Sequence, residues 1–270
     1  GGPWPGARPL RRLTMTFEGV RPVLHIPFAD SSDQPILDDE LAALAERMLD
    51  YGVDGLAVPQ LASEAWTLTE SERDRVVAIA AEVCAGRAPL VVGLDGSTRV
   101  AVDRARRAAK AGAAGLKVLP PRQAPTPEQL VVAVTSEIPG AGAKASAIHE
   151  AGLELVAGWG GLNYLEQVAR GAVGCFPGCD LGPAIKAIDD AARAGDAAQA
   201  AGRYRQILPY LSLATASLEL LLLTAKRHLR RSGVFSTEVL RAPARTLDAQ
   251  EAGTVDRLLD ELSADGVPGF

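Results

Sequence analysis

Hydrophobic and polar positions alternate between two periods along this chain. Short β-branched runs stand between longer stretches whose apolar residues recur every three or four positions. Arg21 to Phe28 reads as a first strand, closed by the polar Ala29 to Asp33. A helix is expected from about Asp38 to Tyr51, where Leu41, Leu44, Ala45 and Met48 share a face and Gly52 caps the end. Val53 to Val58 is the second strand. Thr69 and Glu72 have the spacing of a capping box before a helix over Arg73 to Cys84. Strand Pro89 to Leu94, helix Thr98 to Ala111 and strand Gly115 to Leu119 repeat the unit. Strict alternation with short connections predicts a parallel sheet with right-handed crossovers.

The rhythm breaks after Pro120-Pro121. Thr126-Pro127-Glu128 looks like a helix start, yet Val131 already opens another strand, Val131 to Thr135. Regularity then returns. Helix Ala143 to Ala151, strand Leu153 to Ala157, helix Tyr164 to Ala169, strand Ala172 to Phe176 and helix Gly182 to Ala194 follow in turn. From Asp196 only helices are expected: Asp196 to Leu208, Leu211 to Arg231 and Ala249 to Ser263. The Leu218 to Ala225 stretch is apolar on several sides, which favours a partner subunit. Seven strands are counted where an eight-unit barrel of about 250 residues would have eight, a deficit of roughly 45 residues before Val131.

Composition narrows the class. The 270 residues are 47% hydrophobic with a net charge of −5, so no basic footprint for nucleic acid is present. No apolar run reaches the roughly 20 residues of a membrane span. Three cysteines, Cys84, Cys175 and Cys179, are too few for a disulfide framework and fit a reducing, cytoplasmic setting. No metal site or cofactor is expected. Residues 1–14 lack the apolar core of a signal peptide and read as a tag or loose arm, with Met15 a natural start. The domain division is an arm at 1–14, a barrel at 15–195 and a helical extension at 196–270.

Candidate chemistry gathers at the strand tips. Lys117, on an otherwise apolar strand, is either a packed lysine or a reactive amine. His25 lies inside the first strand. Gly158 and Trp159 end one late strand, and Phe176 with Cys179 the next. The tips of barrel strands are where active sites form. The loop Pro139 to Gly142 before Lys144 offers backbone amides to an anion; His149 and His228 read as ordinary helix residues.

In order and spacing, several stretches resemble the dihydrodipicolinate synthase / N-acetylneuraminate lyase family of Schiff-base aldolases. They are Val23 to Phe28, Gly52-Val-Asp-Gly-Leu56, Glu64 to Arg73, Pro89 to Gly93 with Ser97-Thr98, Ala111 to Pro121, Leu155 to Gly158, Arg170 to Gly174, and the tail Lys226 to Pro243. The likeness covers most of Gly19 to Leu262. It implies a (β/α)8 barrel with a C-terminal helical extension and one to two β/α units missing, in a dimer or tetramer. It further implies a lyase or aldolase that captures a 2-keto acid such as pyruvate on a lysine, with aldehyde-type co-substrates. A buried amine attacks the ketone and the iminium then acts as an electron sink.

Three departures stand out. Thr135 occupies or adjoins the position where the resemblance places the lysine, leaving Lys117 as the fallback amine. The strand with the family's proton-relaying tyrosine falls in the gap. The loop that would bind the substrate carboxylate reads Gln60-Leu61-Ala62-Ser63-Glu64, with Leu61 and Ala62 replacing two threonines. Either residues have dropped out before Val131 and before Thr135, or the chain is a shortened and altered relative. Two other readings stay open: a noncatalytic barrel that binds a small molecule or a partner subunit, and an imine-independent enzyme using His25 and Glu64 as acid and base.

Overall fold

The computed structural model describes residues 17–118, 135–136 and 154–270. Strand β1 (Gly19–Val20) pairs in parallel with β7 (Ala172–Cys175), which pairs with β6 (Leu155–Ala157), which pairs with β5 (Thr135–Ser136). Strand β2 (Leu56–Ala57) pairs with β3 (Leu90–Leu94), and β3 with β4 (Gly115–Val118). The chain just after β1 joins the two rows. Val23 bridges both Ala57 and Gly178, and its amide donates to Pro177 O (2.8 Å) while the Leu24 amide donates to Ala57 O (2.9 Å). The order is therefore β4-β3-β2-β1-β7-β6-β5, all parallel, an α/β barrel arrangement. Among the described residues the row ends at β4 on one side and β5 on the other, the place where the pattern broke.

The first regular strand, Gly19–Val20, lies ahead of the expected Arg21 to Phe28 run rather than within it. Regular pairing covers Gly19–Val20, with single bridges at Val23 and Phe28. Pro22 and Pro27 have no N–H, so a continuous ladder cannot form, although Pro22 O still accepts from the Ala57 amide (3.0 Å).

Strand alternation sorts the core. Val23, Ala57, Val91, Val156 and Phe176 pack together inside the row of strands. Leu24, Ile26, Leu56, Val58, Leu90, Val92 and Leu94 point the other way, into the cluster shared with α1 (Asp38–Asp50) and α2 (Glu70–Cys84). In α1 the buried residues are Leu41, Leu44, Ala45 and Met48, as the spacing predicts, and Gly52 sits at φ +75°. The Thr69–Glu72 capping box forms in both directions, so α2 starts at Glu70, one turn earlier than expected. Helix α3 (Thr98–Lys110) covers β3, and α4 (Tyr164–Ala169) leads into β7.

Helices α5 (Gly182–Arg193), α6 (Ala197–Ala214), α7 (Leu218–Arg231) and α8 (Ala249–Ala264) complete the molecule. The expected break near Pro209 is absent: α6 runs through it and stops at Thr215. A proline inside a helix costs about 3 kcal/mol. Ile207, Tyr210 and Leu211 flank it and are fully buried, each worth roughly 1.5–3 kcal/mol, so packing outweighs the lost bond. Leu222, Leu223, Ala225 and Leu229 of the apolar α7 are buried within this chain, while Leu218, Leu220 and Leu221 are only partly covered. No single described helix is long and apolar enough to cross a membrane.

Candidate active site

Lys117 lies on β4 in register with Gly93 of β3, and Gly93 is two residues past the inward-facing Val91. Period-2 alternation therefore carries Lys117 to the barrel interior, where it is buried. Its Nζ donates to Gln60 Oε1 at 2.9 Å and stands 5.3 Å from the centroid of the Phe176 ring, a cation–π distance. Glycine at position 93 makes this possible. A β-carbon there would lie 2.0 Å from Pro59 O and 2.8 Å from Gln60 Cγ. Only a residue without one lets the loop after β2 cross the barrel mouth.

Gln60, Lys117, Val23, Leu61, Trp159 and Phe176 wall a cavity of about 40 Å³. Leu218 and Leu221 of α7 close its far side. Trp159 follows Gly158 in a short 3-10 turn at the tip of β6, with φ +50°, and its indole N–H donates to Thr215 O (3.1 Å), where α6 breaks. A left-handed backbone at so large a residue is uncommon and holds the ring at the mouth. Ala62 packs against the interior cluster beside Val23 and Phe176.

The rest of the loop after β2 is committed to structure. Ser63 Oγ donates to Leu24 O at 2.6 Å, fully buried. Glu64, at φ +51°, pairs with Lys226 of α7 at 2.5 Å and accepts from the Arg241 amide at 2.9 Å. Lys226 Nζ also donates to Val239 O (2.8 Å) and sits 4.5 Å above the Phe28 ring, while the Arg241 guanidinium covers that ring at 4.2 Å. Burial lowers the Lys226 amine to about 8, against the opposing pull of Glu64. The sequence reading did not single out Lys226. Its signal was present: a lysine three and four positions from Leu223 and Leu222, on the apolar stripe of α7.

His25 is fully buried, and neither ring nitrogen has a hydrogen-bond partner among the described residues. Burial lowers it to about 3, helped by the charge of Lys226, so the ring is neutral. It lies behind Gly178, where a β-carbon would meet His25 Cε1 at 3.0 Å. It is not hydrogen-bonded to Glu64. Nearby, burial pushes the Asp180 carboxyl up to about 6 although Tyr210 donates to it at 2.8 Å. Cys179 Sγ donates to Val23 O, and Cys175 belongs to a different cluster from Cys179. No group of three potential metal ligands occurs among the described residues.

Thr135 opens β5, opposite Val156 of β6. The Val134–Thr135 link, Lys144, His149 and the Gly-rich loop before Lys144 lie outside the described residues. His228, read as an ordinary helix residue, is buried against Phe270 (ring centroids 4.6 Å apart).

Residues 16–130 match the Dihydrodipicolinate synthetase family. An L-2-keto-3-deoxyarabonate dehydratase of Azospirillum brasilense is 27% identical over 302 aligned positions, covering 92% of this chain and 96% of that protein. Since 92% of 270 residues is about 248, roughly 54 aligned positions have no residue here. A 4-hydroxy-tetrahydrodipicolinate synthase of Maridesulfovibrio salexigens is 35% identical over 119 residues, 43% of this chain and 40% of that protein. The crystal structure of dihydrodipicolinate synthase from Rhodopseudomonas palustris superposes with a TM-score of 0.83 at 22% identity, over 91% of this chain and 97% of that one. Its fold is the fold found here.

Proposed function

We propose that this chain, a relative of the dihydrodipicolinate synthetase family of enzymes, is a lyase or dehydratase of 2-keto acids with Lys117 as the imine-forming amine. The observation that carries the reading is the Lys117 amine at the wall of the interior cavity, set between the Gln60 amide oxygen and the Phe176 ring face. The neutral amine adds to the keto carbon. Proton uptake and loss of the former carbonyl oxygen as water leave an iminium on Nζ. That iminium acidifies the adjacent carbon. Loss of its proton and departure of a β-hydroxyl as water is dehydration; breaking the next carbon–carbon bond instead is aldol cleavage. Dehydration finds support in the relative aligned over nearly its whole length, which is itself named a dehydratase.

The shortened barrel belongs to the same reading. About 54 unfilled alignment positions are close to the deficit of roughly 45 residues inferred from barrel geometry. The count fits both accounts of the gap given above; this reading takes the chain as a compact relative with the amine on β4. The domain division at 14 and 195, a homo-oligomer and a cytoplasmic setting are part of this proposal.

The test is borohydride reduction in the presence of pyruvate, read by intact mass and peptide mapping. An adduct on Lys117 that is lost in Lys117→Met supports the reading; an unmodified protein ends it. A second reading rests on the cavity volume. About 40 Å³ admits little more than a water molecule, which suits a noncatalytic barrel that holds a partner or a ligand elsewhere. Absence of any adduct together with unchanged oligomeric state in Lys117→Met would favour it. The acid–base pair of His25 and Glu64 is the least favoured, because Glu64 is already taken by Lys226 and the Arg241 amide.

A further inference from the structure

Helix α3 rests on β3 through small side chains. Ala101, Ala105 and Ala108 pack on the core, and an alanine reaches only one carbon toward the sheet. A cavity of about 380 Å³ is left between α2 and α3, on the outer side of β3. Its floor is aliphatic, made by Val77 of α2 with Val92 and Leu94 of β3. Strand alternation turns Val92 and Leu94 away from the barrel interior. The cavity shares no lining residue with the one at Lys117. Protein interiors elsewhere leave few voids larger than a water molecule, whereas ligand pockets run from roughly 300 to 1,000 Å³.

The rim is cationic. Arg73, Arg104, Arg107 and Lys110 all line it. Arg73 pairs with Asp95 at 2.9 Å, and Arg104 with both Asp95 and Glu70. Arg107 pairs with Asp74 at 2.8 Å and with Glu70 at 2.6 Å. Four cations thus stand against three carboxylates, a surplus of one positive charge. Donors are also left over. Arg73 is 6% exposed, yet its buried Nε has no hydrogen-bond partner among the described residues. Lys110 makes no hydrogen bond or ion pair among the described residues, and it follows Arg107 by three positions on the same helix face. A buried N–H left unpaired is costly, so a cavity wall that keeps one suits an acceptor brought by a ligand. No aromatic residue lines this cavity, so the body that complements its floor is an aliphatic chain rather than a ring.

We infer that the cavity between α2 and α3 binds a small amphipathic monocarboxylate. Its aliphatic chain lies on Val77, Val92 and Leu94, and its single charge answers the surplus on the rim. The carboxylate accepts from donors that the rim leaves uncommitted, and such charge-assisted bonds are the stronger kind. This site lies outside the barrel and does not depend on the imine reading.

The experiment titrates octanoate into the full chain by calorimetry. 1-Octanol is the uncharged control and acetate the control without a chain. Wild type should bind octanoate about tenfold or more tighter than either. Lys110→Glu changes an exposed side chain and reverses the surplus charge. It should weaken octanoate about tenfold or more and 1-octanol less than about twofold. Ala108→Leu adds three carbons to the cavity wall and should weaken both ligands about tenfold or more. Lys117→Met should leave octanoate affinity as in wild type, because that amine belongs to the other cavity. No octanoate binding by wild type, or unchanged affinity in either Lys110→Glu or folded Ala108→Leu, overturns the inference. So does loss of binding in Lys117→Met, which would put octanoate inside the barrel. Should Ala108→Leu fail to fold, Lys110→Glu against 1-octanol decides alone.

Discussion

Two buried lysines occupy different regions of this molecule, and the contrast separates chemistry from architecture. Lys117 is 7% exposed and Lys226 is 1% exposed, so burial does not distinguish them. Their surroundings do. Lys117 meets a neutral amide and an aromatic face at the wall of a cavity. Lys226 is held by a carboxylate, a backbone carbonyl and the Phe28 ring, in the seam where α7 and the following loop cover the barrel. The second arrangement closes the structure, since Glu64 in the loop after β2 and Arg241 in the loop after α7 are tied through the same charge. The first stands at the wall of a cavity inside the row of strands.

The largest effect that would break this contrast is on trapping and turnover. Lys117→Met should abolish borohydride adduct formation and lower any keto-acid turnover by a factor on the order of 10⁴ or more. Equal trapping in the variant would put the amine elsewhere.

Next in size is the structural lysine. Lys226→Met leaves Glu64 as an uncompensated buried carboxylate and should cost about 3–5 kcal/mol in denaturant unfolding. Adding Glu64→Gln to it should recover a substantial part, because both charges are then gone; no recovery would mean the pair is not coupled.

Titration behaviour sharpens the picture of the interior. His25 has its ordinary value of 6.5 in the unfolded chain and about 3 in the fold, so unfolding takes up a proton between those values. Its contribution to stability is fully present above pH 6.5 and is lost as pH falls toward 3. His228, lowered to about 4 by burial, acts in the same direction. Asp180, raised to about 6, opposes them between 3.8 and 6, where the folded state holds the extra proton. His25→Leu should therefore flatten the acid side of the stability profile by close to one proton's worth of slope, measured by thermal melts from pH 7 to 4. A parallel profile would show His25 to be accessible in the native state.

The smallest predicted effect is local. Thr69→Ala removes one half of the capping box of α2 and should cost about 1 kcal/mol without altering keto-acid binding.

Much of the fold was legible from pattern. Period 2 and period 3.6 alternate strictly enough to announce parallel β/α units: among the described residues six strands overlap their expected ranges, and the first pairs at Gly19–Val20, ahead of its expected run. The capping box at Thr69 and the glycine after α1 marked helix ends correctly, because both act through bonds among near neighbours. The path through Pro209 was not legible. Helix propensity counts the lost hydrogen bond, but the burial of Ile207, Tyr210 and Leu211 that outweighs it comes from distant residues.

The candidate site shows the same division. Place at the strand tips marked Lys117 and Phe176, and the family resemblance marked Gln60; the register with β3 set Lys117 on the inward face. That Gln60 and Lys117 touch depends on Gly93 letting the loop after β2 fold across the barrel, a contact between residues 57 positions apart. The Lys226–Glu64 pair spans a still longer separation, and no local rule reports it. Sequence by itself determined the elements, their faces and which chemical groups were available, since these depend on bonds and periods spanning a few residues. Tertiary structure alone decided that Lys117 meets Gln60 and Lys226 meets Glu64, because those contacts are made by chain segments brought together only when the barrel closes around its core.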